Sequence, residues 1–260
     1  MNHFKSLPPC HDIAIRITGA KLAFDPAKSP HYKVISFLYN IYPNSSHSLQ
    51  AYSSETGNWI TCRRHPFKPF RQFGSGVYWN DAIYWSDFEG YNDRVFKLDV
   101  DTLNLSSIPL PEGILKDDKG RTIDRQLFES RGCLLLSCRI PIDFCRDKWL
   151  IRVYEAKTDD GGALLCFEWA VKYEIVDINE VLMVAPAWAR MHPYMWSVMC
   201  IVVGENNEED SFVVIRVRTQ VILYKIELKS LVMLRDLGPH HPVGSSLFTC
   251  FPLVASFAGV

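Results

Sequence analysis

Short apolar bursts separated by polar turns run the length of the chain, and almost no stretch keeps a helical period. Residues 20–24 and 34–39 are apolar runs on either side of a turn-rich polar segment, residues 25–31, which predicts strand, ordered loop, strand. The same grammar returns in residues 49–62, with a turn at 54–57 and a second strand beginning near Trp59. It returns again in residues 95–108, with a turn at 99–102. Residues 150–158 resume it with a turn lengthened by 159–162, and residues 221–234 form a fourth copy. The copies lie about 45 to 70 residues apart, which allows several strands per unit and points to β-propeller blades. Residues 178–189 support a helical turn or two before Pro186, and little else does.

Residues 76–85 carry the most detailed expectation. A two-residue turn at Asn80-Asp81 pairs Tyr78 with Ile83 and sets Gly76 opposite Trp85. Val77, Trp79, Ala82 and Tyr84 then share the second face, so both faces are apolar. A sheet covered on one side alternates apolar with polar, whereas a blade between two neighbours buries both faces. The fold class expected is therefore all-β, a β-propeller-like array of kelch-type antiparallel repeats. Residues 66–69, 109–119, 141–147, 204–210 and 238–242 are Pro-bounded or acidic and read as surface loops. None divides the repeats, so residues 1–260 are expected to form a single domain.

The charge balance excludes some partners. With net charge −1 and no Lys/Arg-rich run beyond Arg63-Arg64-His65, the chain offers no global field for nucleic acid or an anionic membrane. Residues 1–11 hold no apolar h-region, and no apolar run approaches the roughly 18 residues of a membrane span. An intracellular location, cytoplasmic or nuclear, is the expectation. The eight cysteines sit mostly in strand-like apolar runs, with no Cys-x-x-Cys pair and no histidine at zinc-ligand spacing, so they read as buried thiols.

Several of these segments resemble one known family. Residues 22–34, Leu-Ala-Phe-Asp-Pro-Ala-Lys-Ser-Pro-His-Tyr-Lys-Val, resemble the opening of the F-box-associated domain of plant F-box proteins. The Gly-x-Tyr-Trp-Asn-x-x-Ile-Tyr-Trp element at 76–85 is similar to a later part of that domain. So are Val95-Phe-x-Leu-Asp-x-Asp-Thr with Ile108-Pro-Leu-Pro111, His192-Pro193, and the tail Phe251-Pro-Leu-Val254. The resemblance implies a kelch-like propeller that recognises a target protein for a Skp–cullin–F-box-type E3 ubiquitin ligase, by binding and without catalysis. It also implies a Skp-type adaptor and a cullin as partners where an F-box lies upstream. No helical F-box pattern precedes residue 22, and residues 1–9 resemble the end of the family's first blade. Residues 1–11 are accordingly expected to be a blade remnant or disordered, and the ring incomplete.

Candidate chemistry is sparse. Asp99 and Asp101, two apart at a turn, suit turn capping better than an acid–base pair. His192, His240 and His241 lack a third ligand in register, and Gly244-Ser245-Ser246 lacks the second glycine of a nucleophile elbow. No catalytic residue, metal or cofactor is expected. Trp79, Tyr84 and Trp85 read as core. Phe88, Tyr91, Phe144, Trp188, Tyr194 and Trp196 lie nearer to loops and are the candidate protein-binding residues, since exposed aromatics make binding hot spots. The alternative function is a propeller-type hydrolase or sugar-binding module, which requires groups such as Asp87, Glu89, Asp93 and His192 to converge.

Overall fold

A computed structural model describes residues 6–8, 15–40, 46–62, 75–86, 94–112, 114, 124–143, 148–158, 167–175, 196–204, 210–217 and 219–236. The described elements are strands, and they form four separate four-stranded antiparallel sheets. The first contains β1 (Ile15–Ala23), β2 (Lys33–Asn40), β3 (Ser46–Ser53) and β4 (Trp59–Cys62). The second contains β5 (Val77–Trp79), β6 (Ala82–Ser86), β7 (Arg94–Asp99) and β8 (Leu105–Pro109). The third contains β9 (Asp124–Ser130), β10 (Cys133–Asp143), β11 (Lys148–Thr158) and β12 (Phe167–Ile175). The fourth contains β13 (Trp196–Val202), β14 (Phe212–Val217), β15 (Gln220–Lys225) and β16 (Ser230–Asp236). Within each sheet the spatial order follows the chain order, so every sheet is an up-and-down meander. That is the repeating unit of a β-propeller, and the expected all-β, propeller-like class holds.

The hairpins repeat at the level of single residues. Asn80 and Asp81 (φ 43° and 58°) join the first two strands of the second sheet, and Arg131 and Gly132 (φ 52° and 73°) do so in the third. Two left-handed residues in succession make a type I′ turn, whose twist matches the flanking strands. Tyr78 pairs with Ile83 as the sequence predicts, although the β5 ladder begins at Val77 and leaves Gly76 just outside it. In the first two sheets the last hairpin is a five-residue loop, residues 54–58 and 100–104. In it the Ser53 N–H donates to Asn58 C=O and the Gly57 N–H to Ser53 C=O, and Asp99, Leu103 and Asn104 reproduce the pattern. Gly57, Leu103 and Lys229 occupy the same left-handed position, at φ 70°, 57° and 47°.

The chain divides into two compact units, Met1–Leu110 and Pro111–Val260. In the first unit, Ile35, Phe37 and Leu49 from the first sheet meet Ile83, Trp85 and Phe96 from the second. Trp85, 1% exposed, stacks on Phe96 and takes Phe37 edge-on. In the second unit, Leu135, Trp149 and Ile151 of the third sheet meet Trp196, Val213 and Ile215 of the fourth. Both cores are rich in β-branched and aromatic side chains that suit a pleated, covered surface.

One sequence expectation fails here. Residues 141–147 read as a loop, but Pro141–Asp143 complete β10. The ladder shifts register between Pro141 and Asp143, and a bulge is where a strand tolerates a residue without an N–H. The helical turns expected at 178–189 lie outside the described residues, as do the loops 66–69 and 238–242. Cys133, Cys138 and Cys200 are free thiols, two of them buried, in line with the thiol reading at those positions.

Candidate functional site

The most organised polar region of the first unit is one end of its two sheets, where four hairpin connections are tied together. Residues 25–31 connect β1 to β2, and almost every polar group in them has a task. Asp25 Oδ1 accepts from the Ala27 N–H at 3.0 Å, while its backbone carbonyl accepts from Lys28 and Ser29. Ser29 Oγ accepts from the His31 N–H. An Asx turn and a Ser turn in succession, with Pro26 inside the first and Pro30 inside the second, make an ordered loop from local chemistry alone.

Long-range bonds then attach this loop to its neighbours. The Lys28 ammonium reaches Asp81 in the β5–β6 turn at 2.8 Å. The Tyr78 hydroxyl donates to the other oxygen of that carboxylate at 3.0 Å. Lys33, at the start of β2, donates to Asp101 and to the Val100 carbonyl in the β7–β8 hairpin. The Val100 N–H donates to the Asp81 carbonyl. Tyr32 and Ser54 exchange two bonds, Tyr32 N–H to Ser54 Oγ at 2.7 Å and Ser54 N–H to Tyr32 C=O at 2.9 Å. These bonds fix the relative height of all four connections.

The charges respond accordingly. The hydrogen bond from Lys28 holds the Asp81 carboxyl below its ordinary range, and the same bond raises Lys28. Burial, then the bond to Asp81, pushes the Tyr78 phenol well above its usual value, so it remains a donor. Asp99 accepts from the Asp101 N–H, the Thr102 N–H and the Thr102 hydroxyl. Its partial burial opposes ionisation, but these bonds leave it lowered overall. The expected turn-capping role of Asp99 is therefore the observed one.

Above this end, an aromatic row crosses the first sheet. Phe24, Tyr32, Tyr52 and Trp59 follow one another at ring separations of 6.5, 6.3 and 5.4 Å. Tyr52 is buried, Trp59 donates to the Pro8 carbonyl at 3.0 Å, and Phe24 is 40% exposed. The row is open at its Phe24 end.

The second unit places its polar chemistry between sheets. Arg139 of β10 is buried, with its guanidinium 4.6 Å from the centre of the Trp196 ring and 5.5 Å from that of Trp149. It also donates to the Trp196 carbonyl. Trp196 is thus a buried strand residue, 4% exposed, that anchors β13 to the third sheet. The remaining candidate aromatics Phe88, Tyr91, Phe144, Trp188 and Tyr194 lie outside the described residues, as do Asp87, Glu89, Asp93 and His192. A second group lies on the third sheet, where Glu155 accepts from Lys157 at 2.7 Å and Lys172 at 3.2 Å. Burial and Glu155 push the neighbouring Cys133 thiol up to about 11, which keeps it protonated and unreactive at neutral pH.

The sequence reading places Tyr78 and Asp81 in their hairpin but misses the ties of Lys28 to Asp81 and of Lys33 to Asp101. A lysine in a loop carries no signal of a partner 53 residues away. Among the described residues, no group of three or more His, Cys, Asp or Glu side chains is placed to hold a metal ion.

Comparison with known proteins agrees with the architecture. The model of the family described as F-box protein At3g26010-like, beta-propeller, matches residues 30–230. F-box protein At5g07610 of Arabidopsis thaliana is 29% identical over 243 residues, covering 87% of this chain and 54% of that protein. The chain thus spans about half the length of this curated relative.

Proposed function

Since the chain belongs to the At3g26010-like F-box-protein β-propeller family, we propose that it is a target-recognising domain of a Skp–cullin–F-box-type E3 ubiquitin ligase. The observation that carries this reading is the family match across residues 30–230, spanning strands of all four repeated meanders. In this reading residues 1–260 act as one interaction domain inside the cell. The chain binds a protein and holds it, and partner enzymes supply the ubiquitin-transfer chemistry.

The geometry fits positioning better than catalysis. At the ordered end of the first unit Asp25 accepts from a turn N–H, Asp81 from a lysine and a phenol, and Asp99 from its own turn. A rigid frame with exposed edges suits recognition, because little ordering entropy is lost when a partner docks.

The test is to remove the gene product from its native cells and to follow protein half-lives, alongside affinity purification of the tagged protein. The expected result is a small set of co-purifying proteins whose half-lives lengthen on removal, with a Skp-type adaptor among the partners of the F-box-bearing product. If no half-life changes and no such adaptor is recovered, the ligase reading is wrong.

A further inference from the structure

The strand β1 carries an uncovered apolar strip that nothing in the first unit's own packing requires. Register places Ile17 opposite Leu38, Ala20 opposite Ser36 and Leu22 opposite Val34, so all three point to one face. Phe24 continues that face, edge-on to Tyr32. Ile17 is 58% exposed, Leu22 55% and Phe24 40%. On the adjoining strands, Leu38 and Tyr52 of the same face are buried, and the Pro8 carbonyl takes the Trp59 indole N–H. The face is therefore closed over β2 and β3 and open along β1. The opposite face, with Ile35, Phe37 and Leu49, is fully used in the core.

Charge at the end of this strip is one-sided. Asp25 follows Phe24 directly, and Glu55 sits in the turn that Ser54 bonds to Tyr32. Glu55 is exposed, and Asp25 is half-buried. The two lysines at this end are already engaged, Lys28 by Asp81 and Lys33 by Asp101. Asp25 thus stands directly after the Phe24 edge with one oxygen taken by the Ala27 N–H, and Glu55 lies exposed in the turn bonded to Tyr32, while Lys28 and Lys33 are paired to Asp81 and Asp101.

Resting on the target-recognition reading above, we infer that the β1 strip with Asp25 and Glu55 docks a target segment that has an aliphatic or aromatic anchor flanked by Lys or Arg. The anchor covers Leu22 and Phe24, and the basic flank lies over the two carboxylates. Apolar burial supplies the affinity, and the carboxylates supply direction and selection against acidic segments.

The test probes the purified full chain with an array of immobilised peptides of about nine residues. Each has one central Leu or Phe, with flanks of Lys/Arg, Ser or Glu/Asp. Basic-flanked peptides are expected to bind and acidic-flanked ones to fail. The double variant D25N/E55Q should weaken binding about five- to tenfold, the size expected for two surface charge contacts. Asn at position 25 keeps the oxygen that accepts from Ala27, so the loop is preserved. L22S should weaken it more than about tenfold, since it removes an apolar anchor. Leu22 is mostly exposed, and an unchanged thermal melt would confirm that the variant folds.

Equal binding of acidic and basic peptides, or indifference to D25N/E55Q, overturns the proposal, as does the absence of any bound peptide. A concentration-dependent dimer that L22S dissolves overturns it too, because the strip is then a self-interface. If these tests fail while protein half-lives still respond to loss of the chain, the ligase reading stands and only this surface assignment falls.

Discussion

The two units build the same pair of four-stranded meanders and hold the pairs together differently. In the first unit the inter-sheet core is apolar, centred on Trp85, and the polar bonds between sheets lie at the exposed hairpin end, as in Lys28–Asp81 and Lys33–Asp101. In the second unit polar side chains enter the interface itself. Arg139 reaches the Trp196 carbonyl, Ser130 Oγ accepts from the Val203 N–H at 3.0 Å, and Tyr173 shares a hydrogen bond with Ser211 at 3.1 Å. Losing one partner of a buried polar bond costs about 1–3 kcal/mol, whereas exposed ion pairs contribute about 0–1 kcal/mol each. The contrast separates stability from display. The first unit joins its two sheets by apolar contact and sets the ion pairs between them at the exposed hairpin end.

Trp85→Ala strikes the apolar solution at its centre. The indole is 1% exposed between Phe37 and Phe96, and deleting such a ring typically costs about 3–5 kcal/mol. Amide exchange should accelerate in β2, β3, β6 and β7, read by mass spectrometry. Exchange confined elsewhere would refute the idea that this ring centres the first core. Arg139→Ala tests the polar solution, at about 2–4 kcal/mol for the lost cation–π contacts and a charged hydrogen bond. Arg139→Met should recover part of that loss, because an apolar side chain of similar length can fill a site vacated by a buried charge. Failure of methionine to help would mean that the Trp196 carbonyl bond dominates.

Ser211→Ala comes next. The hydroxyl is fully buried, accepts from the Gly204 N–H at 2.9 Å and pairs with Tyr173, so about 1–2 kcal/mol is expected from the stranded partners. Gly204 itself has no room to change, since a Cβ there would lie 3.0 Å from the Asp210 backbone nitrogen. A urea midpoint unchanged by Ser211→Ala would show that water replaces the hydroxyl.

How legible these features were follows from the range of the forces involved. The hairpins at 54–57, 80–81 and 99–102 were readable because turn chemistry is local: Gly57, Asn80-Asp81 and Asp99 each carry a conformational or capping preference. The both-faces-apolar pattern of 76–85 was readable because pairing register converts alternation into faces. Pro141 misled, since a proline normally ends a strand and only the bulge beside it explains its place in β10. Trp196 was read as a loop-side aromatic, yet its position under Arg139 depends on a strand 57 residues earlier. Residues 22–34 were legible as a family marker but not as a mechanism. Lys28 and Lys33 find Asp81 and Asp101 only once two sheets meet, and no window of sequence contains both partners.

Acid should sharpen the contrast from the side of the second unit. Burial works to raise the Glu155 carboxyl, but the Cys133 thiol, Lys157 and Lys172 together bring it to about 2, against 4.5 when unperturbed. A carboxyl held low in the folded state adds stability that is full above its unfolded pKa and fades as pH falls toward its folded one. The loss should therefore fall between about pH 4.5 and pH 2. Solvent screening limits the effect to about 1 kcal/mol. Glu155→Gln should flatten this limb in urea midpoints measured across that range. An identical acid limb in the variant would remove Glu155 from the account.

The smallest effect belongs to the exposed tie of the first unit. Lys28 and Asp81 are each about half exposed, so Lys28→Ala should change stability by no more than about 0.5 kcal/mol, and that difference should vanish in 1 M salt. The same substitution frees Asp81 to face solvent, which adds an uncompensated carboxylate at the hairpin end. If the surface selects basic segments, Lys28→Ala should tighten binding of a Lys/Arg-flanked peptide while leaving the melt unchanged. A stability loss of 2 kcal/mol or more would instead make the tie structural and erase the division between the two units.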